Sequence, residues 1–315
     1  MIRHLAALAA LTLVGTAQAQ EPAQCQRELV VLGAGQDAGA PQIGHAGDEG
    51  PVLLPSSLGL IDRAEGKRYL FDATPAITAQ LTALDTIYPP RSGQLVDGIF
   101  LTHAHIGHYL GLAHLGREAA GAKGVPVYAM PRMAQFLRDN GPWSQLVKLG
   151  NIDIGEMSSS QSVVIGQGLI VVPFEVPHRD EYSETVGFMV LTAGKKFLYL
   201  PDIDSWEAWQ AASLSNSLRN KVDAFDHVFI DATFWDDNEL LDENGVGRDM
   251  SEIPHPRVTA TMDMLQDMPP ERRARVHFIH YNHTNPIRYA DSVESAEVEQ
   301  RGFSVARRGD PFCLD

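Results

Sequence analysis

Residues 98–108 read GIFLTHAHIGH, and most of the chain can be interpreted from this stretch. The apolar start, 98–102, has the character of a buried strand. THAHIGH then sets His103, His105 and His108 within six residues. Alternate side chains on an extended backbone point the same way, so His103 and His105 can grip one ion from one side. His108 opens the next segment, which reads as a helix, and approaches from another angle. Imidazole is the commonest side-chain ligand of zinc-like metals. A solvated histidine loop would carry charged neighbours, and this one follows a buried strand instead.

On either side, apolar runs bounded by Gly, Pro or charge continue the pattern. Residues 28–32, 58–61 and 68–71 before the motif read as strands, as do 125–129, 162–165, 169–176, 185–191, 196–200, 228–231 and 275–280 after it. Helical spacing is expected over 76–84, 109–120, 132–140, 206–218 and 257–266. Strands and helices alternate with no Pro/Gly/Ser linker, which points to one layered α/β body. The early run LVVLGAGQDAG, 29–39, has G-x-G-x-x-x-G spacing and Pro41 where a helix should run. That departs from the dinucleotide fingerprint and reads as a glycine turn leaving the first strand.

Further candidate ligands stand at later strand ends. His178 follows 169–176, Asp202 follows KKFLYLP, and His280 ends VHFIH, with His283 three residues on. Asp231 in FIDATFW and His255 in EIPHP form a candidate carboxylate–histidine pair.

Composition sets the outer limits. With 315 residues, 44% apolar and 21% charged, the chain has ordinary globular character. Its 25 Lys+Arg against 40 Asp+Glu give a net charge of −15, a field that repels nucleic acid, and no nucleic-acid partner is expected. Arg3 and His4, the apolar run 5–15 and Ala17-Gln18-Ala19 read as a signal peptide cut after Ala19. This leaves a domain over 20–315 and a periplasmic or secreted address. The apolar run is too short to span roughly 30 Å of hydrocarbon, and no later segment qualifies as a membrane span. An oxidising compartment would let Cys25 and Cys313 tie the two ends together; two unpaired thiols are the other reading.

The order of Asp72 in YLFDATP, the H-x-H-x-x-H motif, a later His, a later Asp and a final His resembles the metallo-β-lactamase fold superfamily over residues 33–286. The resemblance implies a single-domain, four-layer αβ/βα sandwich with its metal site at the seam between the sheets. It also implies that His103, His105 and His178 hold a first metal, that His108 and His280 hold a second, that Asp202 bridges them, and that Asp72 supports the metal loop. That superfamily usually has Asp just before the last motif histidine, where this chain has Gly107. The second site thus lacks one ligand. His283 is the candidate substitute, or else a substrate-facing or loop-packing histidine, and Gly107→Asp is expected to raise second-site occupancy. A narrower likeness, in GAGQDAGAPQ, GLAHLGREA, LPDID, IDATFWDDNE and HYNHTNPI, resembles the pyrroloquinoline quinone biosynthesis protein B family. That family has a cysteine knuckle where this chain reads IGHAGDEG, and its central motif is poorer in histidine.

The chemistry that follows is that of an exported metal-dependent hydrolase acting on an ester, lactone, amide or phosphodiester bond of a small-molecule substrate. A metal held by neutral imidazoles lowers the pKa of coordinated water to near 7. Zinc, one or two ions, is expected; iron or manganese also suits these ligands. Asp202, or His255 oriented by Asp231, is the candidate to protonate the leaving group, and the ribonuclease Z branch has an analogous pair. Two other readings stand beside it. One is an iron-dependent oxidase or hydroxylase related to the quinone-biosynthesis family, and the other a metal- or ligand-binding protein without turnover.

Overall fold

The first strand, β1 (Arg27–Gly33), is buried on both sides, and its alternate residues serve two different cores. Leu29 and Val31 face one apolar cluster, Val30 and Leu32 another. The same split recurs at Tyr69 and Phe71 against Leu70, and at Phe100 against Ile99 and Leu101. A period of two with both faces apolar is what a strand needs between a second sheet and a helical layer. The computed structural model describes residues 25–45, 47–213, 215–241 and 246–315. The signal-peptide expectation for 1–19 lies outside the described residues.

Among the described residues two seven-stranded sheets form. The first runs β14 (Pro311–Cys313), β1, β2 (Ser57–Asp62), β3 (Lys67–Phe71), β4 (Gly98–Phe100), β5 (Val125–Ala129) and β6 (Ile152–Glu156). The second runs β13 (Ser304–Val305), β12 (Val276–Ile279), β11 (His227–Asp231), β10 (Lys196–Leu200), β9 (Val186–Leu191), β8 (Leu169–Glu175) and β7 (Val163–Gly166). Phe71, Phe100, Phe188 and Phe197 meet between the sheets. On the outer face of the first sheet lie α1 (Ile77–Ile87), α2 (Ile106–Tyr109), α3 (Pro131–Asp139) and α4 (Trp143–Lys148), which contribute Leu84, Leu137 and Trp143 to its outer core. The second sheet is covered by α5 (Trp206–Ala212), α6 (Leu218–Ala224), α7 (Val258–Leu265) and α9 (Val293–Gln300), with α8 (Pro270–Arg273) as a single turn. The expected four-layer αβ/βα sandwich is the architecture observed.

Two expected helices are broken. Helical spacing predicts one helix over 109–120; instead α2 ends at Tyr109 and a 3-10 turn, Leu110–Leu115, stops at Gly116. Here backbone approaches backbone: a Cβ on Gly111 would stand 2.0 Å from the Thr74 carbonyl oxygen. The expected helix 206–218 divides into α5 and α6. Ser213 is extended, and the hydroxyls of Ser205 and Ser217 accept the first-turn N–H groups of Ala208 and Asn220, the capping role serine prefers to a helix interior. Strand 98–102 ends at Phe100, because the Thr102 N–H turns to the Asp72 carboxylate at 2.8 Å.

At the far edge β14 pairs with β1, with Cys313 opposite Glu28, and Cys25 and Cys313 form a disulfide with Cα atoms 5.7 Å apart, closing 288 residues. No helix among the described residues is long and apolar enough to cross a membrane.

Candidate metal centre

β1, β3 and β4 run the same way in the first sheet, and β8, β10, β11 and β12 run the same way in the second. Their C-terminal ends meet at one edge of the sandwich, where open α/β sheets gather functional groups. Asp72 follows β3, His103 follows β4, His178 follows β8, Asp202 follows β10, Asp231 ends β11 and His280 follows β12. Of five non-glycine residues with positive φ among the described residues, four belong here: Asp37 (35°), Asp72 (64°), His255 (90°) and His280 (67°). Such backbone is held only where its surroundings over-determine it, commonly at functional sites.

Asp202 is the hub. Its Oδ1 lies 3.3 Å from His178 Nε2 and 3.2 Å from His255 Nδ1. Its Oδ2 lies 3.4 Å from His103 Nε2, 3.3 Å from His108 Nε2 and 3.4 Å from His280 Nε2. Burial opposes its ionisation, but His280, His178 and His255 outweigh that and hold the carboxyl well below its ordinary range. Burial, reinforced by His108, pushes His103 well below the ordinary imidazole value, leaving a neutral ring with a lone pair to donate.

Ligand-capable atoms fall into overlapping groups within 4.8 Å of one another. One joins His103, His105, His178 and Asp202; another joins Asp37, His108 and His280; a third joins Asp202, Asp231, His255 and His280. In the first group His103 Nε2 and His105 Nδ1 lie 2.9 Å apart. Carboxylates and hydroxyls fix the rings from behind. Asp72, fully buried, accepts from Thr102 N–H and hydroxyl, from Tyr199 OH at 3.2 Å and from His108 Nδ1 at 2.8 Å. His178 Nδ1 meets Asp204 Oδ1 at 3.0 Å, and His280 Nδ1 meets Thr233 Oγ1 at 3.0 Å. Each contact turns the opposite ring nitrogen toward Asp202, the arrangement that orients metal-binding histidines.

Those inward atoms are unsatisfied. Ten buried side-chain nitrogen or oxygen atoms have no hydrogen-bond partner among the described residues, and half of them are here: Asp37 Oδ1, His108 Nε2, His178 Nε2, Asp202 Oδ1 and His280 Nε2. Orphaned buried polar atoms demand a partner, and divalent cations held between these overlapping groups would supply it. The residues fit a metal.

Asp231 and His255 come together as expected, with His255 Nδ1 2.8 Å from Asp231 Oδ2. Burial lowers the His255 pKa, but Asp231 and Asp202 overcome it and bring it to about 8. His283 does not join the centre: its Nδ1 faces its neighbour Asn282 Oδ1 at 2.8 Å and its ring lies 5.1 Å from that of His45. It is corrected from candidate ligand to loop histidine, because the turn after His280 carries its side chain outward to an open cavity shared with Asp48 and Arg288. At position 107 a Cβ would stand 2.5 Å from Asp37 Cα, so Gly107→Asp meets a clash that the sequence alone does not show.

Asp37 is the residue that sequence reasoning passed over, while Asp204, readable from the sequence as a pocket-mouth or turn-capping residue, stands behind His178. A signal for Asp37 existed: a lone acid in a glycine turn, in a chain whose motif lacks one.

A family model described as the β-lactamase superfamily domain matches residues 67–281. The coenzyme PQQ synthesis protein B of Methylobacillus flagellatus is 30% identical over 267 residues, covering 78% of this chain and 83% of its own. Among solved structures, the zinc-bound PqqB of Methylobacterium extorquens aligns with a TM-score of 0.72 at 23% identity, covering 90% of this chain and 99% of that one. A diphosphatase of the PhnP family aligns with a TM-score of 0.60 at 20% identity, covering 91% and 96%. A strand-end histidine–aspartate centre on a double sandwich, together with these matches, makes the chain a member of the β-lactamase superfamily, in the branch of the coenzyme PQQ synthesis protein B relatives.

Proposed function

We propose that this protein is an exported zinc-dependent hydrolase acting on a small-molecule ester, lactone, amide or phosphodiester. One observation carries the reading: five orphaned polar atoms of Asp37, His108, His178, Asp202 and His280 converge at the strand ends. His103, His105, His178 and Asp202 would hold one ion, and His108, His280 and Asp202 another. Bound zinc supplies Lewis acidity and a water acidic enough to ionise near neutral pH.

The remaining work belongs to side chains. Asp202 would be shared by both ions, since its two oxygens stand among His178 on one side and His103, His108 and His280 on the other, and it is buried, where a fixed carboxylate is most effective. Asp231 fixes His255 through Nδ1, leaving Nε2 to carry a proton to a leaving group. His255 also lines a cavity of about 310 Å³ with Asp204, Trp206, Met250, Ile253 and Asp237, room for a small leaving group. His105, half-buried, contacts the exposed Glu181 at 3.0 Å, so the centre comes closest to solvent on that side. The diphosphatase among the structural neighbours is consistent with a phosphoester, and export rests on the leader-like 1–19 and the Cys25–Cys313 bridge.

The test is hydrolysis of p-nitrophenyl acetate, a homoserine lactone and bis-p-nitrophenyl phosphate by protein from the exported fraction, with metal content measured alongside. Turnover lost on chelation and restored by zinc is expected. Iron as the resident metal with no hydrolysis would favour the oxidase reading, and no turnover on any substrate would favour a binding protein.

A further inference from the structure

Gly107 occupies the motif position where this superfamily carries a carboxylate, and the structure gives a physical reason for the glycine. The space beside it is filled by Asp37. A Cβ on residue 107 would stand 2.5 Å from Asp37 Cα, 2.8 Å from its Oδ1 and 3.1 Å from its carbonyl oxygen. A carboxylate oxygen of Asp37 lies within 4.8 Å of a ring nitrogen of His108 and of His280, and Asp37 Oδ1, His108 Nε2 and His280 Nε2 are all buried without a hydrogen-bond partner among the described residues.

The turn bearing Asp37 is pinned to the segment that follows His280. Tyr281 N–H donates to Ala34 O and Gln36 N–H donates to Tyr281 O, both at 3.0 Å. On the other side Ser56 N–H donates to Gly35 O at 2.8 Å. Gly39, at φ 70°, has its missing Cβ only 2.1 Å from the Leu53 carbonyl oxygen, so no larger residue fits that bend. The carboxylate is thus delivered by a turn whose backbone moves with the His280 loop.

From this we infer that Asp37 is a ligand of the second metal ion, replacing in space the motif carboxylate absent at position 107. The inference rests on the reading of the strand-end cluster as a metal centre and goes beyond it by assigning a ligand from outside the motif. Asp37, His108, His280 and the shared Asp202 then give the second ion two imidazoles and two carboxylates, a donor set suited to zinc and to harder divalent metals.

The test is titration of metal-stripped full-length protein with Zn²⁺ by calorimetry, and with Co²⁺ by visible absorption, comparing wild type with Asp37→Ala and Asp37→Asn. Two ions per wild-type chain are expected. In both variants the second should bind at least about 100-fold more weakly, because a direct ligand is worth more than the 10–100-fold of an orienting partner. The first ion should change less than about threefold, and circular dichroism should confirm folded protein. Variants that take up two ions with wild-type affinity would overturn the assignment of Asp37 and leave the metal centre standing. A wild type that binds one ion would also overturn it, and one that binds none would overturn the metal centre itself.

Discussion

The two halves of the centre are built by different means. The half around His103, His105 and His178 draws two ligands from one short run and a third from the end of β8. The half around His108 and His280 shares that run only through His108, and its remaining carboxylate neighbour, Asp37, sits in the turn after β1. One half follows from local spacing on an extended backbone; the other exists only once the sheets have folded. Their supports differ too. Asp72 behind His108 is fully buried among Thr102 and Tyr199, whereas Asp204 behind His178 is 38% exposed. Water weakens a carboxylate's hold on its partner, so the same contact should matter more in the half assembled at long range.

Removing a ligand of the local half has the largest expected effect. His103→Ala should lose the first ion and lower turnover roughly a thousandfold or more, because several kcal/mol of charge stabilisation goes with it. Elemental analysis and steady-state kinetics check this together, and near-normal turnover would break the assignment of that half. Next come the supporting carboxylates. Asp72→Asn should weaken the second ion by about 100-fold and Asp204→Asn the first by about 10-fold, both measured by metal titration. Equal losses would remove the distinction between buried and exposed support.

How legible each half was follows the same division. His103, His105 and His108 lie within six residues, and His178, Asp202 and His280 each follow an apolar strand, so spacing marks them as candidates, while their division between two ions is what the family resemblance implies. Asp37 was hidden because its role depends on the close approach of Gly107, a tertiary fact. For His283 the sequence leaves two readings, substitute ligand or substrate-facing or loop-packing histidine, and its contacts with Asn282 and His45 are tertiary facts. In the fold, the long apolar strands were readable to within a residue or two. The short edge strands β13 and β14 were not, since pairing with a neighbour rather than their own pattern makes them strands. The helix break at Ser213 was written in a serine-rich run whose capping preference outweighed helical spacing.

Smaller effects should follow from Gly107→Asp. Overpacking against Asp37 should lower stability by about 1–3 kcal/mol, read as a fall in Tm, with no gain in metal content. A higher metal count would show that the two carboxylates fit side by side. On the centre itself the smallest effect is expected from Cys25→Ser. Opening a 288-residue loop should lower stability by about 6 kcal/mol at most in chain-entropy terms and leave both ions in place. Thermal denaturation under oxidising conditions and metal analysis check the two parts separately, and loss of an ion would tie the far edge to the centre.

The most direct measurement is anomalous X-ray diffraction at the zinc edge from crystals grown without chelator. Two peaks flanking Asp202 are expected, one among His103, His105 and His178 and the other among Asp37, His108 and His280. A single peak, or peaks away from Asp202, would contradict a centre built in two halves around one carboxylate.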